Sequence, residues 1–110
     1  MARLSVGAIP TILLDDGVMI IFSAVDHLGN PIDAFFGFMH SPISASEPFG
    51  NPPVTWSQTS DLGTWVETIK YAYRNNKPIA LSYDDEITNP YTSPNGQTFV
   101  LNAVYAISDL

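Results

Sequence analysis

One segment of the chain has helical periodicity, and strand-like segments lie on both sides of it. From residue 62 onwards, apolar side chains recur every three or four positions, which places them on one face of an α-helix. These are Leu62, Trp65, Val66, Ile69, Ala72 and Tyr73. Thr59 or Ser60 suits the N-cap, and Asn75-Asn76 before Lys77-Pro78 predicts the C-terminal end. The fold must therefore combine one helix, on which Trp65 is a core residue, with a strand-rich remainder.

Three predicted strands precede this helix, at residues 4–14, 18–25 and 32–39. Asp16-Gly17 predicts a tight turn between the first two, because glycine tolerates the positive φ that such a turn requires. Pro10 predicts an edge, a bulge or a bend in the first strand. Gly37 marks a bulge or a close backbone approach in the third. The pattern favours a three-stranded antiparallel meander.

Two strands follow the helix. Residues 79–84 alternate apolar and polar side chains, which is typical of a half-buried strand. Residues 85–97 contain Pro90, Pro94 and Asn95-Gly96, so we predict a polar turn there. Residues 98–107 form the last strand, with apolar residues on both faces. One face carries Phe99, Leu101, Ala103, Tyr105 and Ile107, and the other carries Val100, Asn102, Val104 and Ala106. The second face meets either another layer or another subunit.

The segment between the third strand and the helix is rich in proline. Residues 41–58 hold four prolines, Gly50 and several serines, so they are predicted to form a long loop. Loops of this length are usually functional or make contacts. The pattern leaves open whether this loop packs on its own domain or on a neighbouring chain.

The order of elements predicts the fold class. The length of 110 residues suits one domain, and we predict a single α+β, β-rich domain over residues 1–110. Three strands, one helix and two strands is the order of the OB-fold, a five-stranded barrel with one helix between strands 3 and 4.

Charge and composition exclude several classes of function. The formal net charge of −7 opposes nucleic-acid binding, which needs a basic patch. The longest apolar run, residues 18–22, is too short to insert into a membrane. The chain has no cysteine, and no phosphate loop, dinucleotide fingerprint or zinc spacing, so no cofactor is expected.

Two segments of the C-terminal half, residues 65–84 (WVETIKYAYRNNKPIALSYD) and residues 96–105 (GQTFVLNAVY), carry a resemblance. This helix, short Asn-Lys turn and strand pair resembles the B subunits of pentameric bacterial toxins. The resemblance implies a secreted OB-fold pentamer whose helices line a central pore and whose outer face recognises a host glycan. Those subunits usually carry a disulfide, which this chain lacks, and none of their sugar-contacting residues matches a position here. The compartment is otherwise left open by the sequence.

Candidate ligand-binding residues come from the predicted loops. Trp56 and Tyr91 are loop aromatics that could stack on sugar rings or anchor a partner protein, or else cap open ends of the barrel. Asn51, Ser57 and Asn95 could supply hydrogen bonds to hydroxyl groups.

Catalysis and metal binding have weaker support in the sequence. Asp84-Asp85-Glu86 lacks the glycine and the spacing of a calcium loop, so we interpret it as a solvated turn. His27 and His40 lack a placed nucleophile or acid, and no enzyme is expected. Two hypotheses remain: a glycan-binding homo-oligomer with an oligosaccharide or protein partner, and a structural assembly protein such as a small virion or surface component.

Overall fold

The computed structural model describes residues 1–17, 19–40, 48–49, 54–55 and 62–110. This part of the chain contains seven strands and one helix. In chain order they are β1 (Ala2–Asp15), β2 (Met19–Val25), β3 (Phe35–Met39), β4 (Pro48–Phe49), β5 (Val54–Thr55), α1 (Leu62–Asn75), β6 (Ile79–Thr92) and β7 (Thr98–Asp109). The β-rich class with one helix is confirmed. Among the described residues, no helix is both long enough and apolar enough to cross a membrane.

The five long strands are hydrogen-bonded into a closed ring in the order β1, β2, β3, β7, β6. Four of the pairings are antiparallel, and β3 with β7 is parallel. β1 pairs with two strands, with β6 up to Ala8 and with β2 from Ile9 onwards. Gly7 lies at the register shift with φ +91°, and a Cβ there would come 2.9 Å from the Cβ of His27. A glycine is therefore required where the strand changes partner.

The core is built from aromatic residues of β2 and β3, against which the helix packs. The ring of Phe22 lies 5.2 Å from that of Phe36 and 6.3 Å from that of Phe38. Trp65 is 6% exposed, and its ring meets Phe38 edge to face at 5.5 Å. The prediction that Trp65 belongs to the core is confirmed. Helical spacing also predicts Tyr73 on this face, but Tyr73 is 41% exposed because the buried stripe ends at Ala72.

The C-terminal end of α1 is confirmed at the predicted position. Asn76 adopts φ 54°, and the N–H of Lys77 donates to the carbonyl of Ala72 over 2.9 Å. A residue in the left-handed conformation followed by such a hydrogen bond is a common way for an α-helix to end. The predicted N-cap residues, Thr59 and Ser60, lie outside the described residues.

Two predicted loops contain strands. Within residues 41–58, which are predicted to form a long loop, the described residues form a short antiparallel pair, β4 with β5. The predicted turn at residues 85–97 is wrong, because β6 continues to Thr92 and the turn occupies only residues 93–97. Between Tyr83 and Thr88 the register shifts, and residues 84–87 bulge out of the ladder. The carboxylate of Asp84 accepts hydrogen bonds from the N–H groups of Glu86 and Ile87, which stabilises this bulge.

Both faces of the middle of β7 are covered by the chain itself. Asn102 and Val104 are buried on one face and Leu101 on the other, which selects the second-layer alternative for these residues. Leu101 packs against Gly37, where a Cβ would come 2.4 Å from Leu101 Cδ1. The close approach predicted at Gly37 is thus confirmed. The sequence predicts Tyr105 on the face of Ile107, but Tyr105 is 37% exposed because a register shift inserts it as an extra residue.

Candidate functional site

Two tight turns lie side by side and enclose a cavity of about 150 Å³. One turn joins β1 to β2 at residues 15–17, and the other joins β6 to β7 at residues 93–97. We call this cavity the two-turn pocket. Its lining residues are Leu14, Asp15, Asp16, Ile21, Ser93, Asn95, Gln97 and Phe99. Polar groups from both turns and three apolar side chains therefore face one small space.

Asp16 links the two sides of the pocket. Its Oδ1 accepts a hydrogen bond from the N–H of Met19 over 2.8 Å, which closes the first turn. Its Oδ2 accepts a hydrogen bond from the hydroxyl of Tyr91 over 2.5 Å, across 75 positions of sequence. Burial and this bond to Asp16 raise the pKa of Tyr91 to about 12. Tyr91 thus holds strand β6 against the β1–β2 turn.

Asp15 anchors the first turn to the helix and to the end of β3. Its Oδ1 accepts from the N–H of Gly17 over 2.9 Å and lies 2.7 Å from Nε2 of His40. Its Oδ2 lies 2.7 Å from Nζ of Lys70. Burial alone would raise the pKa of Asp15, but the hydrogen bonds from Lys70, Gly17 and His40 outweigh it and lower the pKa to about 2. The carboxylate therefore stays ionised at any physiological pH.

Asn95 shapes the second turn. Its Oδ1 accepts hydrogen bonds from the N–H of Gln97, over 3.0 Å, and from the hydroxyl of Ser93. Gly96 follows with φ +88°, and its N–H donates to the carbonyl of Ser93 over 2.9 Å. The oxygen of the Asn95 amide is used by the turn itself. Its NH₂ group carries two donor N–H bonds.

The predicted binding residues fare differently. Asn95 lines the pocket. Tyr91 is not a loop residue: it lies on β6, and its hydroxyl is engaged with Asp16. Trp56, Asn51 and Ser57 lie outside the described residues. The sequence reasoning missed Asp15, Asp16, Gln97 and Phe99 as pocket residues, although both turns carry recognisable signals.

The acidic run at residues 84–86 is engaged within the chain. Asp84 Oδ2 accepts a hydrogen bond from the hydroxyl of Tyr105 over 2.8 Å, and its backbone carbonyl accepts one from the side-chain amide of Asn102 over 2.9 Å. Asp85 pairs with Arg3 over 2.6 Å. Within the described ranges, no three His, Asp or Glu side chains are grouped so that they could hold a metal ion. The run is part of a strand bulge rather than the predicted solvated turn.

Replacing Tyr91 by phenylalanine is expected to lower the free energy of unfolding by about 1–2 kcal/mol, because the bond to a charged acceptor is lost. Tyr105→Phe is the matched control, since Tyr105 also donates to an aspartate, Asp84, which does not line the pocket as Asp16 does. The pKa of each phenol is raised to about 12, so the stabilisation is present below pH 10 and is lost as the pH rises towards 12.

Denaturant unfolding and alkaline tyrosinate absorbance measure these effects. Each variant should lack one phenol that ionises near pH 12. Only Tyr91→Phe should change the NMR signals of both turns. A Tyr91→Phe variant with wild-type stability and unchanged turn signals would show that this bond does not hold the pocket together.

No protein family, curated protein or solved structure matches this chain.

Proposed function

We propose that this protein is a non-enzymatic carbohydrate-binding module of the OB-fold type that works as a homo-oligomer and holds a sugar in the two-turn pocket. The strand order supports the fold assignment. Around the ring, β1, β2 and β3 are followed by β7 and then β6. In chain order, β6 and β7 are the fourth and fifth of the five long strands. The helix lies between the third and fourth ring strands in sequence, as in an OB-fold barrel.

The observation that carries the ligand class is the pairing of acceptors and donors across the pocket. Carboxylates of Asp15 and Asp16 line the side formed by the first turn, and they can only accept hydrogen bonds. Amides of Asn95 and Gln97 line the other side, and their NH₂ groups can donate. A sugar hydroxyl both donates and accepts, so it satisfies both sides together.

The apolar part of the lining and the size of the pocket agree with this ligand. Phe99 offers an aromatic ring, on which the C–H face of a sugar can pack. The volume of about 150 Å³ is below the roughly 300 Å³ at which pockets for drug-sized ligands begin. The pocket therefore suits one sugar ring at the end of a glycan.

The titrating groups of the site favour binding over catalysis. A general acid or base works best with a pKa near the operating pH. The pKa of Asp15 is lowered to about 2 and that of Tyr91 is raised to about 12, so both keep one protonation state near neutral pH. Their hydrogen bonds position the two turns, which is the role of a preformed binding site.

The test replaces one donor of the pocket and leaves the turn intact. Asn95→Asp keeps the Oδ1 that accepts from Ser93 and Gln97 but removes the NH₂ group. In an NMR titration with sugars chosen from a glycan array, wild-type signals of both turns should shift, and Asn95→Asp should bind about tenfold more weakly. Asn30→Asp, on the β2–β3 turn, makes the same charge change as a control. A silent array, or shifts confined to other surfaces, would contradict the proposal.

A second candidate is a structural assembly protein, and an exposed apolar face favours it. Leu4 is 68% exposed and Val6 is 55% exposed on the outer side of β1. Their cross-strand neighbours on β6 and β7 are uncharged: Ser82, Ala106, Ala80 and Ser108. Because the chain carries a net charge of −7, two copies approach with least repulsion where both present such an uncharged face. This outer face of β1, β6 and β7 is also the surface that we propose for the homo-oligomer.

Light scattering tests the self-association. We expect the wild-type protein to be oligomeric and the double variant Leu4→Ser, Val6→Ser to be monomeric, because the apolar area that drives association is removed. Leu28→Ser is the control, since Leu28 is an exposed leucine on the β2–β3 turn. A wild-type monomer at high concentration would rule out both the assembly function and the homo-oligomer.

A further inference from the structure

We propose that the two-turn pocket selects a neutral sugar ring and rejects sugars that carry a carboxylate, such as uronic and sialic acids. This inference rests on the proposed function and goes further, because it names the chemical class of sugar. It follows from the charges, the hydrogen-bonding capacity and the size of the lining.

The charge of the lining is negative. Asp15 and Asp16 are the only charged side chains among the described residues that line the pocket. Nζ of Lys70 lies 2.7 Å from Asp15 Oδ2. His40 contacts the other oxygen of the same carboxylate. Among the described lining residues the charged side chains are both carboxylates, within a chain whose net charge is −7, so the lining itself is negative at neutral pH.

The hydrogen-bonding capacity gives the same preference. A carboxylate on the ligand can only accept hydrogen bonds, and so can the carboxylates of Asp15 and Asp16. Where the two meet, no hydrogen bond forms and like charges repel each other. A hydroxymethyl group in the same position donates a hydrogen bond to an aspartate, and such charge-assisted bonds are strong.

The size of the pocket prevents the ligand from avoiding this contact. The amides of Asn95 and Gln97 could stabilise an anion on their side of the pocket. The cavity, however, is only about 150 Å³, so a ring that fills it presents groups to both turns. Leu14, Ile21 and Phe99 occupy the rest of the lining and offer no hydrogen bond to a carboxylate. A neutral ring is therefore the ligand that suits both sides.

The test uses pairs of sugars that differ at one carbon. Galactose and galacturonate, and glucose and glucuronate, differ only in a hydroxymethyl group replaced by a carboxylate. In NMR titrations of the complete chain, we expect the neutral member of a bound pair to bind at least about tenfold more tightly than its uronate. Raising the salt concentration to about 0.5 M should narrow this ratio, because salt screens the repulsion.

A variant that should gain affinity for uronates tests whether the negative charge of the lining causes the selectivity. Asp16→Asn removes one negative charge, so we expect uronate binding to strengthen and neutral-sugar binding to weaken, because the neutral sugar loses a charge-assisted bond. The ratio of neutral-sugar to uronate affinity should therefore fall at least about fivefold. Asp26→Asn is the matched control: it makes the same charge change, and Asp26 also accepts N–H bonds in its own turn, from Leu28 and Asn30. It should leave the ratio unchanged.

The outcomes separate this inference from the proposed function. If uronates bind as tightly as the neutral sugars at the two turns, the selectivity is overturned and sugar binding stands. If neither member of any pair shifts the signals of the two turns, the proposed function fails and the inference fails with it. If Asp16→Asn does not fold, the salt dependence of the wild-type ratio decides, and a ratio that does not change with salt overturns the electrostatic cause.

Discussion

Replacing Asp84 by alanine is expected to lower the free energy of unfolding by about 3 kcal/mol, since several donors lose a buried acceptor. The side chain is 4% exposed. It accepts hydrogen bonds from the N–H groups of Glu86 and Ile87 at 2.8 and 2.9 Å and from the hydroxyl of Tyr105 at 2.8 Å. Without the carboxylate, the N–H groups of Glu86 and Ile87 lose this acceptor, and the register beyond Thr88 is weakened.

Its sequence neighbour is the control. Asp85→Ala removes an exposed carboxylate whose partner Arg3 lies on the surface, so it should change stability little. Denaturant unfolding of both variants measures the difference. Equal losses for the two variants would mean that the buried hydrogen bonds of Asp84 do not stabilise the bulge.

The pH dependence has a definite sign. Burial would raise the pKa of Asp84, but the hydrogen bonds from the N–H groups of Ile87 and Glu86 hold it well below its usual value. The pKa is depressed in the folded state, so this stabilisation is complete above the usual aspartate pKa of about 4 and is lost as the pH falls below it. Asp84→Ala should accordingly show a smaller loss of stability on acidification than the wild type.

Replacing Gly37 by valine is expected to lower the free energy of unfolding by about 2–3 kcal/mol, the usual cost of overpacking a core. An added Cβ would lie 2.4 Å from Cδ1 of Leu101 and 3.3 Å from its Cγ. Leu101 is fully buried, so it has little room to change its rotamer. Since Leu101 and Phe99 lie on the same strand, displacement of this strand should also weaken the sugar binding that we propose for the two-turn pocket.

A double-mutant cycle shows whether the clash with Leu101 is the cause. Gly37→Ala and Leu101→Ala should each destabilise, the second by about 2–5 kcal/mol, and together they should cost less than the sum because alanine at 101 leaves room for the new Cβ. Gly63→Ala is the control: nothing lies within 4 Å of a Cβ there, so the change should stabilise α1 by about 0.5–1 kcal/mol. Additive losses in the cycle would disprove the steric cause.

Features that depend on local interactions were predicted correctly. The helix, its end at Asn75-Asn76 and the turn at Gly17 follow from side-chain periodicity and backbone preference within a few residues. Trp65 belongs to the core because helical spacing places it on the apolar face. The glycine at position 37 predicted a close approach. The residue that approaches it, Leu101, lies on a strand far away in the sequence and could not be identified from the sequence.

The predictions that failed depend on long-range pairing. Residues 85–92 contain acids, asparagine and proline, which locally favour a turn, yet they belong to β6 because residues 88–92 pair with β7 beyond the bulge. The sequence predicts a solvated turn at Asp84, but the structure has a bulge there. An aspartate that accepts hydrogen bonds from backbone N–H groups a few residues later occurs in both, and its local sequence does not distinguish them. Ladder hydrogen bonds outweighed the local preference.

The sequence by itself determined the helix α1, the strand-rich class, the turn at Gly17 and the negative charge, because each depends on composition or on neighbours a few residues apart. Only the tertiary structure decided that the β1–β2 turn and the β6–β7 turn meet, that Tyr91 donates to Asp16 across 75 positions, and that a pocket lies between them. The reason is physical: the closure of the ring and the register of its strands set which distant turns become neighbours, and register depends on the packing of the whole core.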